Sequence, residues 1–318
     1  MHGDPQSASG GGASKRRDRR RGWREADPPQ RPVLFVNPRS GNGSAARAGV
    51  AERASELGIE VVTLGAGEDL AELVRVAVEN GADALGMAGG DGSLSVVAAA
   101  AAANRLPFVC IPAGTRNHFA GDLGLDRRDP AAALRAFGAG LEGRIDLGEV
   151  NGRPFLNNVS LGVYGEAVRT SAYREAKVRT LVETAEQVLG PSGQAPGLRL
   201  VDDTGREHDH PLIVIVSNNP YALDRPPARG GRPALDGGLL GIVVLDAPSR
   251  GPHAPGRAWT APTLEVSAPV VVHAGIDGEA VELDPPLRFA IRPAALRVRI
   301  PSGQPVGSLP AEDAERRT

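Results

Sequence analysis

Between Pro32 and about Leu141 the chain alternates short apolar runs with helical stretches, and this alternation narrows the possible folds more than any other feature. PVLFVN precedes a helical stretch from Ala45 to Leu57, and IEVVTL precedes one from Asp69 to Glu79. ADALGMA then leads into Ser93 to Ala103, and PFVCIP is followed by a stretch running through Pro130 to Phe137. Alternation of this kind predicts an α/β domain with a parallel, doubly wound sheet. In such sheets ligands bind outside the carboxyl ends of the strands. Three glycine-bearing loops fall there: NPRSGNGS after the first strand, GGDGS after the third and PAGTRN after the fourth. They are expected to converge on one crevice.

The glycines of these loops have a physical reading. In GGDGS, Gly89, Gly90 and Gly92 leave backbone N–H groups open to phosphate oxygens at the start of a helix, where the dipole also favours an anion. Asp91 then has two readings: it holds Mg2+ or a nucleotide group among the phosphates, or it, or Ser93, caps the following helix. A carboxylate among phosphates is repelled unless a cation or hydroxyl lies between them, which favours the first. SGNGSAA has the G-x-G-x-x-A spacing of a dinucleotide loop at Gly41, Gly43 and Ala46. A dinucleotide site also wants an acid at the end of the second strand, but Glu60 stands at its start, which disfavours an NAD(P)-dependent dehydrogenase. PAGTRNH adds a turn from Pro112 to Gly114, then Thr115 and Asn117 as uncharged hydrogen-bonding groups and Arg116 as a phosphate partner.

Composition removes other classes. Lys15 and Lys177 are the only lysines, and neither ends a G-x-x-x-x-G-K-[ST] loop. H-R-D, D-F-G, G-x-S-x-G and C-x-x-C segments are also missing, which leaves protein-kinase, hydrolase and zinc readings without support. The single cysteine, Cys110, lies in an apolar run, so no internal disulfide forms and a reducing, cytoplasmic setting is expected. The longest apolar run, around Leu94 to Ala103, is far short of the roughly 18 residues of a membrane span. Residues 1 to 31 carry eight Lys or Arg against four Asp or Glu, so +4 of the total of −2 sits there and −6 on the remainder. KRRDRRRGWR, from Lys15 to Arg24, concentrates the positive charge, and the segment reads as a disordered arm that is either a solvated tail or an attractor for anionic headgroups.

From about Arg144 the texture changes. Asn151-Gly152 lies between two strand-like runs, a hairpin signal, and a helical stretch from Gly165 to Leu189 is stopped by Gly190-Pro191. Seven short apolar runs with turn punctuation follow, from GLRLVDD to LRVRIP, and predict a second, β-rich domain of two packed antiparallel sheets. Near its end HAGIDGEAVEL sets Asp277 and Glu279 on either side of Gly278, either as a hairpin turn or as carboxylates able to accept a hydroxyl proton. His208 and His210 in REHDHP have metal-like spacing without a third ligand and read as a solvated polar turn.

Taken together, VNPRSGNGSA, AGGDGSLSVV, IPAGTRNHFAGDLGL, NNVSLGVYGEAV and IDGEAVELDPPLRFAIRPAALRVRIP resemble the diacylglycerol kinase catalytic-domain family and related bacterial lipid kinases, whose first domain is similar to that of NAD kinases. The resemblance covers most of residues 32 to 301 in order. It implies an α/β nucleotide-binding domain at 32–142 and a C-terminal β-sandwich at 143–301, which leaves the disordered basic arm at 1–31 and a tail at 302–318 outside it. It also implies ATP- and Mg2+-dependent phosphorylation of a lipid hydroxyl, with diacylglycerol as leading acceptor and a sphingoid lipid or NAD as alternatives. Asn37, Ser40 and Gly41 would then line the nucleotide, and Gly89, Gly90, Asp91, Gly92 and Ser93 would hold its phosphates and the metal ion. Gly114, Thr115 and Asn117 would add nucleotide contacts, Asp277 would be the general base and Glu279 its assistant. His118 stands where the family has an acid, and Gly237 and Gly241 stand where relatives carry aspartates for a structural Mg2+, leaving Asp236 alone. These departures keep a catalytically silent nucleotide- or lipid-binding module in view. The expected setting is the cytoplasm with peripheral attachment to a membrane surface, with no nucleic-acid partner; homo-oligomerisation stays open.

Overall fold

The computed structural model describes residues 22–162, 197–222, 231–246 and 256–302. Most of the basic arm, the helical stretch from Gly165 to Leu189 and all but the first residue of the expected tail lie outside them. The first half runs β1 (Arg24–Ala26), β2 (Pro32–Val36), α1 (Ser44–Arg47), α2 (Val50–Glu56), β3 (Glu60–Thr63), α3 (Leu70–Glu79), β4 (Ala84–Gly89), α4 (Asp91–Ala103), β5 (Pro107–Pro112) and α5 (His118–Asp122), then a 3-10 helix, Pro130–Phe137. The second half is strand after strand: β6 (Gly140–Val150), β7 (Arg153–Phe155), β8 (Asn158–Gly162), β9 (Arg199–Val201), β10 (Glu207–Asp209), β11 (Ile213–Asn218) and β12 (Leu240–Leu245). It continues with β13 (Gly256–Ala261), β14 (Thr263–Val266), β15 (Val272–Ile276), β16 (Glu279–Leu283) and β17 (Leu287–Pro301).

The alternation in the first half produces the expected sheet. β5, β4, β2 and β3 are parallel neighbours in that order. Because β2 lies between β3 and β4, the connections leaving β2 and β4 diverge, which places a topological switch point at their carboxyl ends. Every residue of β2 and β4 is buried, and the two faces serve two cores. Val33, Phe35, Leu85 and Met87 pack under α3 and α4, while Leu34, Val36, Ala84 and Ala88 meet α1, α2 and the 3-10 helix. The alanine-rich α4 buries Leu94, Val97, Ala98 and Ala101 against the sheet. The predicted helix from Ala45 to Leu57 is two helices, because Gly49 adopts φ +60° between them.

The second half contains the expected sandwich, with one layer continuous with the first sheet. β13, β12, β11, β8, β15 and β16 do form a six-stranded antiparallel sheet. The layer packed on it, however, is an extension of the first sheet: Val150, Phe155, Leu264, Val266, Leu287 and Phe289 face Val159, Val214, Val216, Ile242 and Ala274 in one core. β17 makes the continuity possible. Its residues 289–292 pair with β6 in the sandwich layer, the register shifts between Arg292 and Leu296, and residues 297–299 then lie parallel to β5. The boundary expected between 142 and 143 therefore falls inside β6, and the last strand of the second unit is also a strand of the first. The arm is likewise ordered before residue 31, since β1 pairs with residues 140–142 of β6 and Arg299 donates to the carbonyl oxygens of Ala26 and Asp27.

Candidate active site

The three glycine loops meet at the switch point, as their positions predict. After β2, a 3-10 turn over Ser40–Asn42 carries Gly41 at φ +54°, and a Cβ there would stand 2.6 Å from the Ala113 carbonyl oxygen. The loop after β5 presses on the loop after β4 as tightly, since a Cβ on Gly114 would lie 2.4 Å from the Gly90 Cα. The floor of the crevice is thus backbone against backbone, and only glycine permits that approach. Ser40 borders it, with its Oγ 3.2 Å from where a Gly90 Cβ would be. Asn37 directly follows β2, its N–H donating to the Ala88 carbonyl and its Oδ1 accepting from the Arg39 N–H. Asn117 is buried at φ +52°; its Oδ1 accepts from the Gly114 N–H at 2.7 Å and its Nδ2 donates to the Gly114 carbonyl at 2.9 Å. Both polar atoms of that side chain therefore brace their own loop, while Thr115 is exposed beside it.

Asp91 is not the cap of its own helix. Gly90 is the N-cap of α4, without a side-chain hydrogen bond, and Asp91 is the first helical residue, with Gly92 and Ser93 in the same turn. Its carboxylate reaches instead to the start of α5, accepting from the His118 N–H at 3.3 Å and the Phe119 N–H at 3.2 Å, and accepts a third bond from Asn157 Nδ2 at 3.2 Å. Asp91 remains partly exposed. A single hard carboxylate beside a phosphate cradle fits Mg2+, which takes one or two carboxylates and completes its shell with phosphate oxygens and water. Among the described residues no cluster of three or more acids, histidines or cysteines could hold a metal without such help.

The second carboxylate comes from the other sheet. Asp277-Gly278 forms a two-residue turn between β15 and β16, at φ +49° and +89°, the backbone that Asp-Gly favours. Asp277 is at once a turn residue and a buried carboxylate, 7% exposed. Its Oδ2 accepts from Ser95 Oγ at 2.6 Å and the Leu156 N–H at 2.8 Å, and its Oδ1 from the N–H groups of Asn157 at 2.7 Å and Asn158 at 3.1 Å. Burial pushes its carboxyl above the usual aspartate range; Ser95 and the backbone donors work against that, and the negative charge of Asp91 adds to it. Glu279, exposed, leans over the glycine loop, so that a Cβ on Gly92 would stand 2.5 Å from its Oε1. Residues far apart in the chain are thereby brought together beside the glycine loop.

Several residues of this site were not visible in the sequence. Asn157 touches both carboxylates, and Ser95, one turn into α4, bonds one of them. Arg232, fully buried, and Asp122, nearly so, form an ion pair behind Asn157. Only the Asn157-Asn158 pair opening β8 offered a local signal. The loop carrying Asp236 is held without acids at 237 and 241: the Gly238 N–H donates to buried Asp146 at 2.7 Å, and a Cβ on Gly241 would meet the Pro220 Cα at 2.5 Å. Asp236 itself is exposed. His208 corrects its expectation outright. It lies in β10, 2% exposed, with Nε2 3.2 Å from Asp202 and Nδ1 3.0 Å from Asp246, and its ring stacks on Trp259.

A model of the diacylglycerol kinase catalytic domain matches residues 31–150. The chain is 30% identical over 301 residues to a protein of Pseudomonas aeruginosa named probable lipid kinase YegS-like, covering 86% of this chain and 95% of that one. It is 37% identical over 122 residues to a diacylglycerol kinase of Mycobacterium tuberculosis, a match spanning 37% of this chain and 40% of the relative. The crystal structure of a diacylglycerol kinase from Bacillus anthracis has the same fold, with a TM-score of 0.61 at 16% identity, over 87% of this chain and 98% of the other. No helix among the described residues is long and apolar enough to cross a membrane.

Proposed function

The chain belongs to the diacylglycerol-kinase-like family of lipid kinases, and from that premise we propose that it transfers the γ-phosphate of ATP to the hydroxyl of diacylglycerol or a similar lipid. The observation that carries this reading is the meeting of Asp277 with Asp91 through Asn157 beside the glycine crevice. On this reading the nucleotide lies over Asn37, Ser40, Gly41 and Gly114, Thr115 and Asn117, with its phosphates on the N–H groups from Gly89 to Ser93. Asp91 would hold Mg2+, which when bound neutralises phosphate charge. Asp277 accepts the hydroxyl proton. A loose phosphoryl-transfer transition state releases that proton late, so a modest base suffices, and positioning and charge neutralisation supply most of the rate. The raised carboxyl of Asp277 makes it a better acceptor than a free aspartate, while four donors keep its ionised form available. Glu279, exposed at the mouth, orients the acceptor.

A lipid acceptor places the reaction at a membrane surface, with the nucleotide bound by the parallel sheet and the lipid by the six-stranded one. The test is transfer of labelled γ-phosphate from ATP to a panel in mixed micelles: diacylglycerol, a sphingoid base and, in solution, NAD. Diacylglycerol is expected to carry the label. Label on NAD alone would refute the lipid reading, and ATP binding with no transfer to any acceptor would identify a silent module.

A further inference from the structure

The structure assigns Arg232 as a positioning residue whose guanidinium sets the orientation of the Asn157 amide and, through it, holds Asp91 and Asp277 in register. This rests on the proposal that those two carboxylates carry the chemistry. Arg232 is completely buried. Its Nε donates to Asp122 Oδ2 at 2.7 Å, and its backbone N–H to Asp122 Oδ1 at 3.1 Å. Its Nη1 donates to the carbonyl oxygens of Leu156 at 2.5 Å and Asn218 at 2.8 Å, and its Nη2 to Asn157 Oδ1 at 2.9 Å.

The two ends of an asparagine amide have nearly the same shape, so its neighbours decide which end points where. A guanidinium only donates, and it therefore requires Oδ1 of Asn157. That leaves Nδ2 to face the Asp91 carboxylate, as observed at 3.2 Å. A reversed amide would set donor against donor at Arg232 and acceptor against acceptor at Asp91. The backbone N–H of the same asparagine binds Asp277 at 2.7 Å, so one residue, held from behind, spans both carboxylates. Asp122 extends the brace. It ends α5, the helix whose first N–H groups bond Asp91, and Arg232 ties it to Leu156, in the link between β7 and β8, and to Asn218, which ends β11 of the second sheet.

Stability alone gives a poor account of this arrangement, because a buried ion pair is often matched or exceeded by apolar residues of similar volume. That fact supplies the test. Arg232→Lys keeps the charge opposite Asp122, but a single ammonium cannot donate in the planar fork that reaches Asp122, Leu156, Asn218 and Asn157 together. Arg232→Met combined with Asp122→Leu removes both charges and refills the space. Melting temperature, kcat, and KM for ATP are measured for both, alongside Asp277→Asn. Both are expected to stay folded with kcat lowered on the order of 10-fold or more and KM for ATP essentially unchanged, since neither touches the glycine loops. Losses that merely follow the fraction of folded protein, or a normal kcat in the folded double variant, would overturn the positioning role. An Asp277→Asn enzyme with normal kcat would instead remove the reading beneath it, so the two failures are distinguishable.

Discussion

Among the described residues, two clusters of largely buried charge are built for different ends. At the junction of the sheets, Asp91, Asp122, Arg232 and Asp277 come from widely separated parts of the chain and are linked through Asn157. Beside the six-stranded sheet, His208 sits between Asp202 and Asp246, with Arg206 on Asp246 and Arg257 on Asp202 and near the Trp259 ring. Each acid of the second cluster has a cationic or imidazole partner, and its residues fasten the β9–β10 hairpin to the edge of the larger sheet. The junction cluster is unbalanced. Asp91 and Asp277 meet no cation directly among their described hydrogen bonds, and Asp91 is open to the crevice. Buried charge that satisfies itself is structural; buried charge that leaves a carboxylate facing a phosphate cradle has room for a substrate.

The sharpest break between the two is Asp91→Asn, which is expected to lower kcat roughly 10²-fold in a protein that remains folded. Its removal also takes away a negative neighbour of Asp277, whose carboxyl then falls toward the ordinary range. The acidic limb of the residual kcat profile should move to lower pH. A limb that stays in place would mean that Asp277 does not govern it.

His208→Phe provides the opposite result, leaving Asp202 and Asp246 short of a partner. Tm is expected to fall by roughly 5 °C or more, with kcat per folded molecule unchanged. A selective loss of kcat, measured with Tm on the same preparation, would give the second cluster a role in the reaction. The smallest effect on turnover belongs to the basic arm. Deletion of residues 1–21 removes six of its seven clustered positive charges while keeping β1. Sedimentation with anionic vesicles should fall at least 10-fold, since each basic residue contributes about 1 kcal/mol at such a surface, and turnover in detergent micelles should hold. Equal losses in both assays would make the arm part of the fold.

What the sequence revealed follows the same division. The crevice was legible because its parts are local: each loop follows its own strand, and its glycines are needed by contacts such as Gly41 against Ala113 and Gly114 against Gly90. The Asp277-Gly278 turn was legible for the same reason. Arg232 and Asp122 were not, because nothing in GGRPAL or AGDLGL signals a partner across the fold, and burial alone makes them a pair. His208 was misread because a polar stretch suggests a solvated turn, whereas Asp202 and Asp246 satisfy its ring inside the protein. The sandwich was half legible. Strand spacing announced its strands, but the register shift between Arg292 and Leu296 that carries β17 from one sheet region into the other has no counterpart in hydropathy.

The role proposed for the junction carboxylate Asp277 is to accept the proton of the lipid hydroxyl. Its most direct test is the rate of phosphate transfer from saturating ATP to diacylglycerol in mixed micelles by Asp277→Asn, which keeps the shape of the side chain and removes the proton acceptor. The rate is expected to fall roughly 10²-fold or more. A folded Asp277→Asn protein that transfers phosphate at the wild-type rate would contradict the claim and leave Asp277 as the corner of a hairpin.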